Sequence, residues 1–511
     1  MRWADAETAE LNPVDNPDAI LDSRESAPVI STAAGYSLCE SDRDPSTELN
    51  QACRFPATAA QVRFRLPPTP SGATSPARWL PWQLNRGAMG MFDRRRFLVS
   101  SAGALSLPFT LRADDDVAPE GRPRVAFLGT VVSQHSHAQH FLDRMTEGYS
   151  WGGKWQTPRV DVAGVYIDQM TDMARQRFER HSLRLFPSVA ETLTLGGENL
   201  AVDGVVIIGE HGNYPRNDLG QTLYPRFEWF KEAVSVFETS GRSVPVFNDK
   251  HLSTSWDQCV EMVEDSRRLG FPFLAGSSLP VTWRLPAIDL PFDAPLQESV
   301  CVAYGGVDSY DFHALETAQC MSERRRGGEV GIRRVHAVRG EKLWEVMGRD
   351  DCRITRDLLV AALLRSHNLP VEGGFPTDRI TYEWARKALP NTLAYFIEHQ
   401  DGFRTTIFLT GITDFNYAGY LSDTGEIISC QMYLPMPGRG STTADFFNPL
   451  TRHIENTVIN RRSSYPIERT LLTSGMVIGG VKSLHAGQIP VETPEMRVEY
   501  QGPQESQFWQ V

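Results

Sequence analysis

The sequence predicts an α/β protein: an N-terminal doubly wound, mostly parallel sheet over about 122–286, then a C-terminal α+β domain with an open sheet over 287–500. Three observations carry this. From Arg124 onward, short apolar runs alternate with segments whose apolar residues recur at helical spacing. The runs end in polar loops rich in Gly, Asp, Asn and His. From about residue 287 the apolar runs lengthen, with helices set between them.

The first run, Val125-Ala126-Phe127-Leu128, ends at Gly129, and His137–Tyr149 follows with helical periodicity. Val162–Ile167 ends at Asp168, Met170–His181 is the next helix, and Leu183–Phe186 is a third strand. Ser188 then caps Val189–Leu195, since a serine ahead of a helix can accept from an otherwise unpaired first-turn N–H. Val205–Ile208, Val244–Phe247 and Phe271–Leu274 are further strands, with helices at about 223–239 and 255–269. In the second domain Thr405–Leu409 and Ile427–Tyr433 read as strands, and Thr355–Ser366 and Tyr382–Lys387 as helices. The Pro/Gly-rich stretch Tyr433–Ser441 is expected to border a cleft, and Ile467–Leu484 to pack back on the body as a helix. Glu323-Arg324-Arg325-Arg326-Gly327-Gly328-Glu329 reads as a solvated charged turn. Arginine's planar fork leaves a polyol or carboxylate clamp open there.

In an open parallel sheet, ligands bind beyond the carboxyl ends of the strands. Those ends are chemically loaded: Gly129-Thr130 through His135, Asp168, Gly209-Glu210-His211-Gly212, and Asn248-Asp249-Lys250-His251. A dinucleotide reading places Gly129 and Thr130 in the turn beneath a pyrophosphate, Asp168 on a ribose hydroxyl, and Glu210 and His211 at the rim. The stretch Gly129–Gln134 lacks the second and third glycines of G-x-G-x-x-G, so its backbone approaches a pyrophosphate less closely.

Composition narrows the classes. The chain has 511 residues, 41% hydrophobic and 22% charged, with formal net charge −12. No Lys/Arg-rich run outside the region near residue 95 offers a phosphate-binding face, which argues against a nucleic-acid partner. Cys39, Cys53, Cys259, Cys301, Cys320, Cys352 and Cys430 form no C-x-x-C pair and read as buried core thiols. No stretch is long and apolar enough for a stable membrane span.

Asp93-Arg94-Arg95-Arg96-Phe97-Leu98-Val99 resembles the twin-arginine export signature. A weakly apolar stretch follows to Leu111, then Arg112-Ala113 and the acidic Asp114–Asp116, which together make a signal peptide over 91–113. It implies a periplasmic or otherwise extracytoplasmic protein. The 90 preceding residues, rich in Pro, Ser, Ala and Asp, are expected to be disordered or not translated, with the start at Met89 or Met91.

Val244-Pro245-Val246-Phe247-Asn248-Asp249-Lys250-His251-Leu252-Ser253-Thr254 is similar to the Glu-Lys-Pro strand end of the Gfo/Idh/MocA oxidoreductases, with Asp249 for Glu and His251 for Pro. The helix Trp256–Leu269, the strand ending at Ala275–Ser278 and the crossing at Trp283–Pro286 keep that family's order. Gly305–Glu316 resembles its Asp/Gly-x-His-x-x-Asp helix start. His313 and Glu316 keep the His-x-x-acid spacing there, and Asp311 matches the leading acid. The resemblance runs over about 124–485 and is that of a divergent branch with a Rossmann-like first domain. It implies NAD or NADP as cofactor and a sugar-like or polyol substrate. Lys250, His313 and Asp311 would be the catalytic residues, and the outer face of the second sheet would support homo-oligomers. His313 would take a hydroxyl proton while Lys250 stabilises oxyanion charge. A carbohydrate-binding or NAD-assisted glycoside-cleaving member of the same fold stays open. So does a metal-dependent hydrolase built on His135, His137, His140, His211, His251 and His313 with Asp168, Glu210 and Asp249. No H-E-x-x-H or comparable spacing is present, so no metal ligands are assigned.

Overall fold

The first sheet orders itself around its two most apolar runs. β1 (Arg124–Val131) is buried from its second residue on, and β5 (Gly204–Ile208) is buried throughout. Continuous burial of this kind belongs to strands covered on both faces. The computed structural model describes residues 121–370, 379–434 and 444–509. The expectations for 1–90 and for the export signal at 91–113 fall outside the described residues, as does most of the Pro/Gly-rich stretch ending at Ser441.

Between β1 and β5 come α1 (His137–Glu147), the hairpin β2 (Tyr149–Trp151) and β3 (Lys154–Gln156), β4 (Asp161–Gln169), α2 (Asp172–His181) and α3 (Val189–Thr194). After β5 come α4 (Arg226–Ser240), β6 (Val246–Asp249), α5 (Trp256–Leu269) and β7 (Phe273–Gly276). The strands lie in the order β4-β1-β5-β6-β7, all parallel. The third expected strand, Leu183–Phe186, is reduced to a single bridge from Leu185 to Val165 of β4. Leu185 is half exposed there, while Phe186 next to it is buried. Counting this bridge, the doubly wound order reverses between β1 and β5, and the ligand crevice of such sheets opens at that reversal.

The second sheet is built from β8 (Arg284–Leu285), β9 (Leu296–Tyr304), β10 (Ile332–Arg339), β11 (Leu393–His399), β12 (Arg404–Thr410), β13 (Phe415–Leu421), β14 (Ile427–Met432) and β15 (Val491–Glu492). Its order is β15-β10-β11-β12-β9-β13-β14-β8, antiparallel except for β9 beside β12. The fold class read from the sequence is therefore the one observed. One face packs on α6 (Tyr310–Ser322) and α11 (Ile467–His485). The other face carries α7 (Glu341–Met347), α8 (Arg353–Leu363) and α9 (Tyr382–Ala388). A second copy approaching that outer face would meet these helices, not bare strands.

Two late helices complete the first sheet. Phe447, Leu450, Ile454 and Val458 of α10 (Phe447–Asn460) join Phe127, Phe141 and Ile208 in one core. Leu471 and Ile478 of α11 join Val205, Val246 and Phe230 on the opposite face. Glycine permits the closest approach: a Cβ on Gly480 of α11 would collide with the Tyr395 ring of β11.

The charged turn at 323–329 is corrected by the structure. Arg325 is buried and pairs with Glu329 at 2.9 Å and Asp401 at 3.0 Å. Arg324 is buried too, donating to the carbonyls of Leu290, Pro503 and Gln504. Glu323 forms a buried pair with Arg469 of α11. Apart from Glu329, four residues on from Arg325, these partners lie far away in sequence, so local charge density gave no sign of them. Cys259, Cys301, Cys320, Cys352 and Cys430 are free and buried. No described helix is long and apolar enough to cross a membrane.

Candidate active site

Two strand ends and two helix starts meet at the reversal of the first sheet. Ser136, extended at φ −66°, accepts from the Gln139 N–H at 3.2 Å and so sets His137 as the first residue of α1. Glu210 follows β5, Asp249 ends β6, Lys250 comes next, and His313 lies in the first turns of α6.

The side chains converge. Lys250 Nζ is 2.9 Å from Glu210 Oε1 and donates to His313 Nε2 at 2.5 Å. His137 Nδ1 is 3.0 Å from Glu210 Oε2 and 2.7 Å from Asp249 Oδ2. All five residues are buried or nearly so, with Lys250 4% and His313 5% exposed. Phe447 of α10 closes one side, its ring 4.9 Å from that of His137. Tyr310 stands on another, 5.8 Å from Lys250 Nζ and 5.8 Å from the His313 ring.

Burial, then Lys250 and His137, push the His313 imidazole well below the usual histidine range, so the ring is neutral at pH 7. For Glu210, burial works to raise the pKa. His137, Lys250 and His211 outweigh it and hold the carboxyl well below the usual carboxylate range. Among the described residues, Asp249 Oδ1 and His313 Nδ1 are buried with no hydrogen-bond partner, and Glu210 Oε2 has only the ion-pair contact with His137. An unpaired buried polar group costs on the order of 1–3 kcal/mol, so a cluster of them marks a place shaped for a ligand. Backbone strain gathers at the same rim. His135, His211, Lys250 and Asp308 hold φ between 59° and 67°, the left-handed region that side-chain-bearing residues rarely adopt.

The sequence-derived candidates divide by placement. Lys250 and His313 touch, and Glu210 joins them. His211 lies at the edge, its Nε2 4.0 Å from Glu210 Oε1. Asp311 is turned elsewhere. Its oxygens accept from the N–H groups of Asp308, Ser309 and Phe312 and from the Tyr395 hydroxyl. Residues two apart on a helix do not face each other, so Asp311 ties down the start of α6 while His313 faces the crevice. Burial, then Asp308, raises the Asp311 pKa to about 6.

Gly129 is also corrected in position. β1 continues through it to Val131, and a Cβ there would lie 2.9 Å from Ile167 Cδ1. It therefore serves strand packing, not a turn. Thr130 is fully buried and donates its hydroxyl to the Glu210 carbonyl, fixing the loop that carries Glu210. Asp168 is exposed near the end of β4, accepting from Tyr166 Oη at 3.0 Å and Tyr214 Oη at 2.7 Å.

Sequence reasoning missed Arg226 and the role of Asp308. Arg226 Nη1 lies 3.1 Å from His251 Nε2, and Gly209 makes room for the arginine stem, since a Cβ there would be 2.5 Å from Arg226 Cγ. Asp308, 3.7 Å from His251, takes the N–H of Thr222 and the Gln221 amide. Together they tie the loop before α4 to the start of α6. A buried arginine beside a rim histidine leaves no local pattern in the sequence.

No protein-family model matches the chain, and no curated protein does. Among solved structures it is similar to GenD2 from gentamicin A biosynthesis in complex with NAD, with 12% identity over 73% of this chain and 97% of that one, TM-score 0.46. Myo-inositol dehydrogenase from Lactobacillus casei in complex with NAD(H) and myo-inositol gives 12% identity, the same coverage of each chain, and TM-score 0.45. Apo scyllo-inositol dehydrogenase from Lactobacillus casei gives 8% identity over 73% and 98%, TM-score 0.44. The fold class of this chain rests on its own strand order.

Proposed function

We propose that the chain is an NAD(P)-dependent oxidoreductase acting on a sugar or polyol hydroxyl, exported through the signal at 91–113. The observation that carries this reading is the 2.5 Å contact between Lys250 Nζ and His313 Nε2 at the strand-order reversal. It joins a strand end of the first sheet to a helix packed on the second, where a hydroxyl can reach both groups.

The residues fit a dinucleotide in part by a different route from a glycine loop. Asp168 is exposed at the strand end suited to ribose hydroxyls, and α1 presents a capped N-terminus at the crevice, suited to phosphate. Glu210 and the unpartnered Nδ1 of His313 supply polar contacts at the reactive end. NAD or NADP, when bound, supplies the hydride acceptor. His313, neutral and with Nε2 as acceptor, takes the hydroxyl proton. Lys250, already donating to that atom, can turn its ammonium to the substrate oxygen as negative charge develops. Glu210 holds Lys250 in place from the other side.

Equilibrium dialysis of the full chain with NAD and NADP tests the reading. One nucleotide per chain is expected, and Asp168→Asn should weaken binding about tenfold, the worth of a charge-assisted hydrogen bond. Failure of both nucleotides to bind, with none released on denaturing the purified protein, would end the proposal. Fractionation of cells producing the chain tests export separately.

A further inference from the structure

We infer that His137, Glu210 and Asp249 form a binding site for one divalent first-row cation, of the Mn²⁺ or Zn²⁺ type, beside the Lys250–His313 pair. The inference does not depend on the nucleotide reading.

His137, Glu210 and Asp249 each offer one ligand atom, and these three atoms lie within 4.8 Å of one another. Two of the separations are 2.7 Å and 3.0 Å. A cation about 2.1 Å from each ligand holds neighbouring ligand atoms about 3.0 Å apart in octahedral geometry and about 3.4 Å apart in tetrahedral geometry. The imidazole nitrogen is thus already near the spacing a metal imposes from each carboxylate, and the whole set lies within 4.8 Å.

Charge comes next. Two carboxylates converge on one imidazole nitrogen, which carries at most one proton. Lys250 compensates Glu210 through Oε1, but among the described residues the Asp249 carboxylate is met by His137 alone, and its Oδ1 is buried without a partner. That second carboxylate is 1% exposed, so water does not compensate it. A divalent cation in place of the Nδ1 proton satisfies Oδ2 and Oε2 together. One imidazole with two carboxylates suits Mn²⁺, Fe²⁺ or Zn²⁺ better than a soft ion, and leaves positions for water or a substrate hydroxyl. The supports are rigid: His137 is fixed by the cap of α1, Asp249 by pairing of β6 with β7, and Glu210 by Thr130 beneath its loop.

The test uses the full chain, stripped by chelator and dialysed. Titration with Mn²⁺, followed by the electron paramagnetic resonance of the free ion, should show one saturable site, competed by Zn²⁺. Mn²⁺ should also raise the melting temperature of the unmodified protein, since binding to the folded state alone stabilises it. His137→Ala and Asp249→Asn should each weaken binding at least about tenfold, with folding checked by circular dichroism. Asp168→Asn should leave it unchanged. If the unmodified chain binds neither Mn²⁺ nor Zn²⁺ and its melting temperature does not move, the inference is overturned. It is equally overturned if both ligand variants, correctly folded, bind as tightly as the parent. Nucleotide binding, measured on the stripped protein, succeeds or fails independently.

Discussion

Glu316, one turn beyond His313, is a buried acid whose proton the fold retains. Its side chain lies over Gly276, accepts from the Ser277 N–H at 2.6 Å and sits 3.4 Å from Thr470 Oγ1. Its nearest arginine, Arg469, is already paired with Glu323. Burial raises the Glu316 pKa from 4.5 to about 7, against smaller opposing effects of Ser277 and Arg469. A group whose pKa is raised on folding adds stability that is whole below pH 4.5 and is lost as pH climbs to about 7. At about 1.4 kcal/mol per pH unit of pKa change, the full loss is about 3 kcal/mol, of which roughly 2 to 3 falls between pH 5 and pH 8. Glu316→Gln keeps an oxygen for Ser277 and cannot ionise. Urea denaturation of both proteins at pH 5 and pH 8 isolates the effect. The variant should gain roughly 2 to 3 kcal/mol relative to the parent on going to pH 8. An unchanged difference between the two pH values would refute the reasoning.

Glu329→Gln should lower stability by about 3–5 kcal/mol, read from the denaturant midpoint, because it removes the buried anion shared by Arg325 and His399 and leaves Arg325 only the partly exposed Asp401. Burial favours the neutral acid at Glu329, but His399 and Arg325 outweigh it and hold the carboxyl far below the usual range. The stability from this group is therefore whole above about pH 4.5 and is lost progressively as pH falls below it. Gly480→Ala should cost about 1–3 kcal/mol in the same assay, because the new methyl must displace the Tyr395 ring.

Most of the fold was legible because burial on both faces writes continuous apolar runs, and helices write a 3.6-residue period. Helix α5 matches its expected bounds to within a residue. The misplacement of Gly129 has a physical cause. Glycine ends a strand only where the backbone must turn, and here Thr130 stays in the sheet because its hydroxyl finds the Glu210 carbonyl. Lys250 and His313 were legible through a motif resemblance, and the structure puts them in contact. Asp311 matched the motif equally well but spends its oxygens on the start of its own helix. The His137, Glu210 and Asp249 set was only a scatter of rim acids and histidines in the sequence. His137 and Asp249 are 112 positions apart, and the strand order alone makes them neighbours.

The return of α10 and α11 to the first sheet has a consequence for how the chain is made. A ribosome releases β1 through β7 long before residue 447 emerges, yet Phe447, Leu450 and Ile454 cover one face of that sheet and Leu471 and Ile478 part of the other. The nascent first half therefore waits with apolar faces bare and cannot close in order of synthesis. Truncation before residue 447 should leave a chain held by chaperones or lost to proteolysis, and His137, which needs Phe447 beside it, gains its final surroundings only when synthesis is nearly complete.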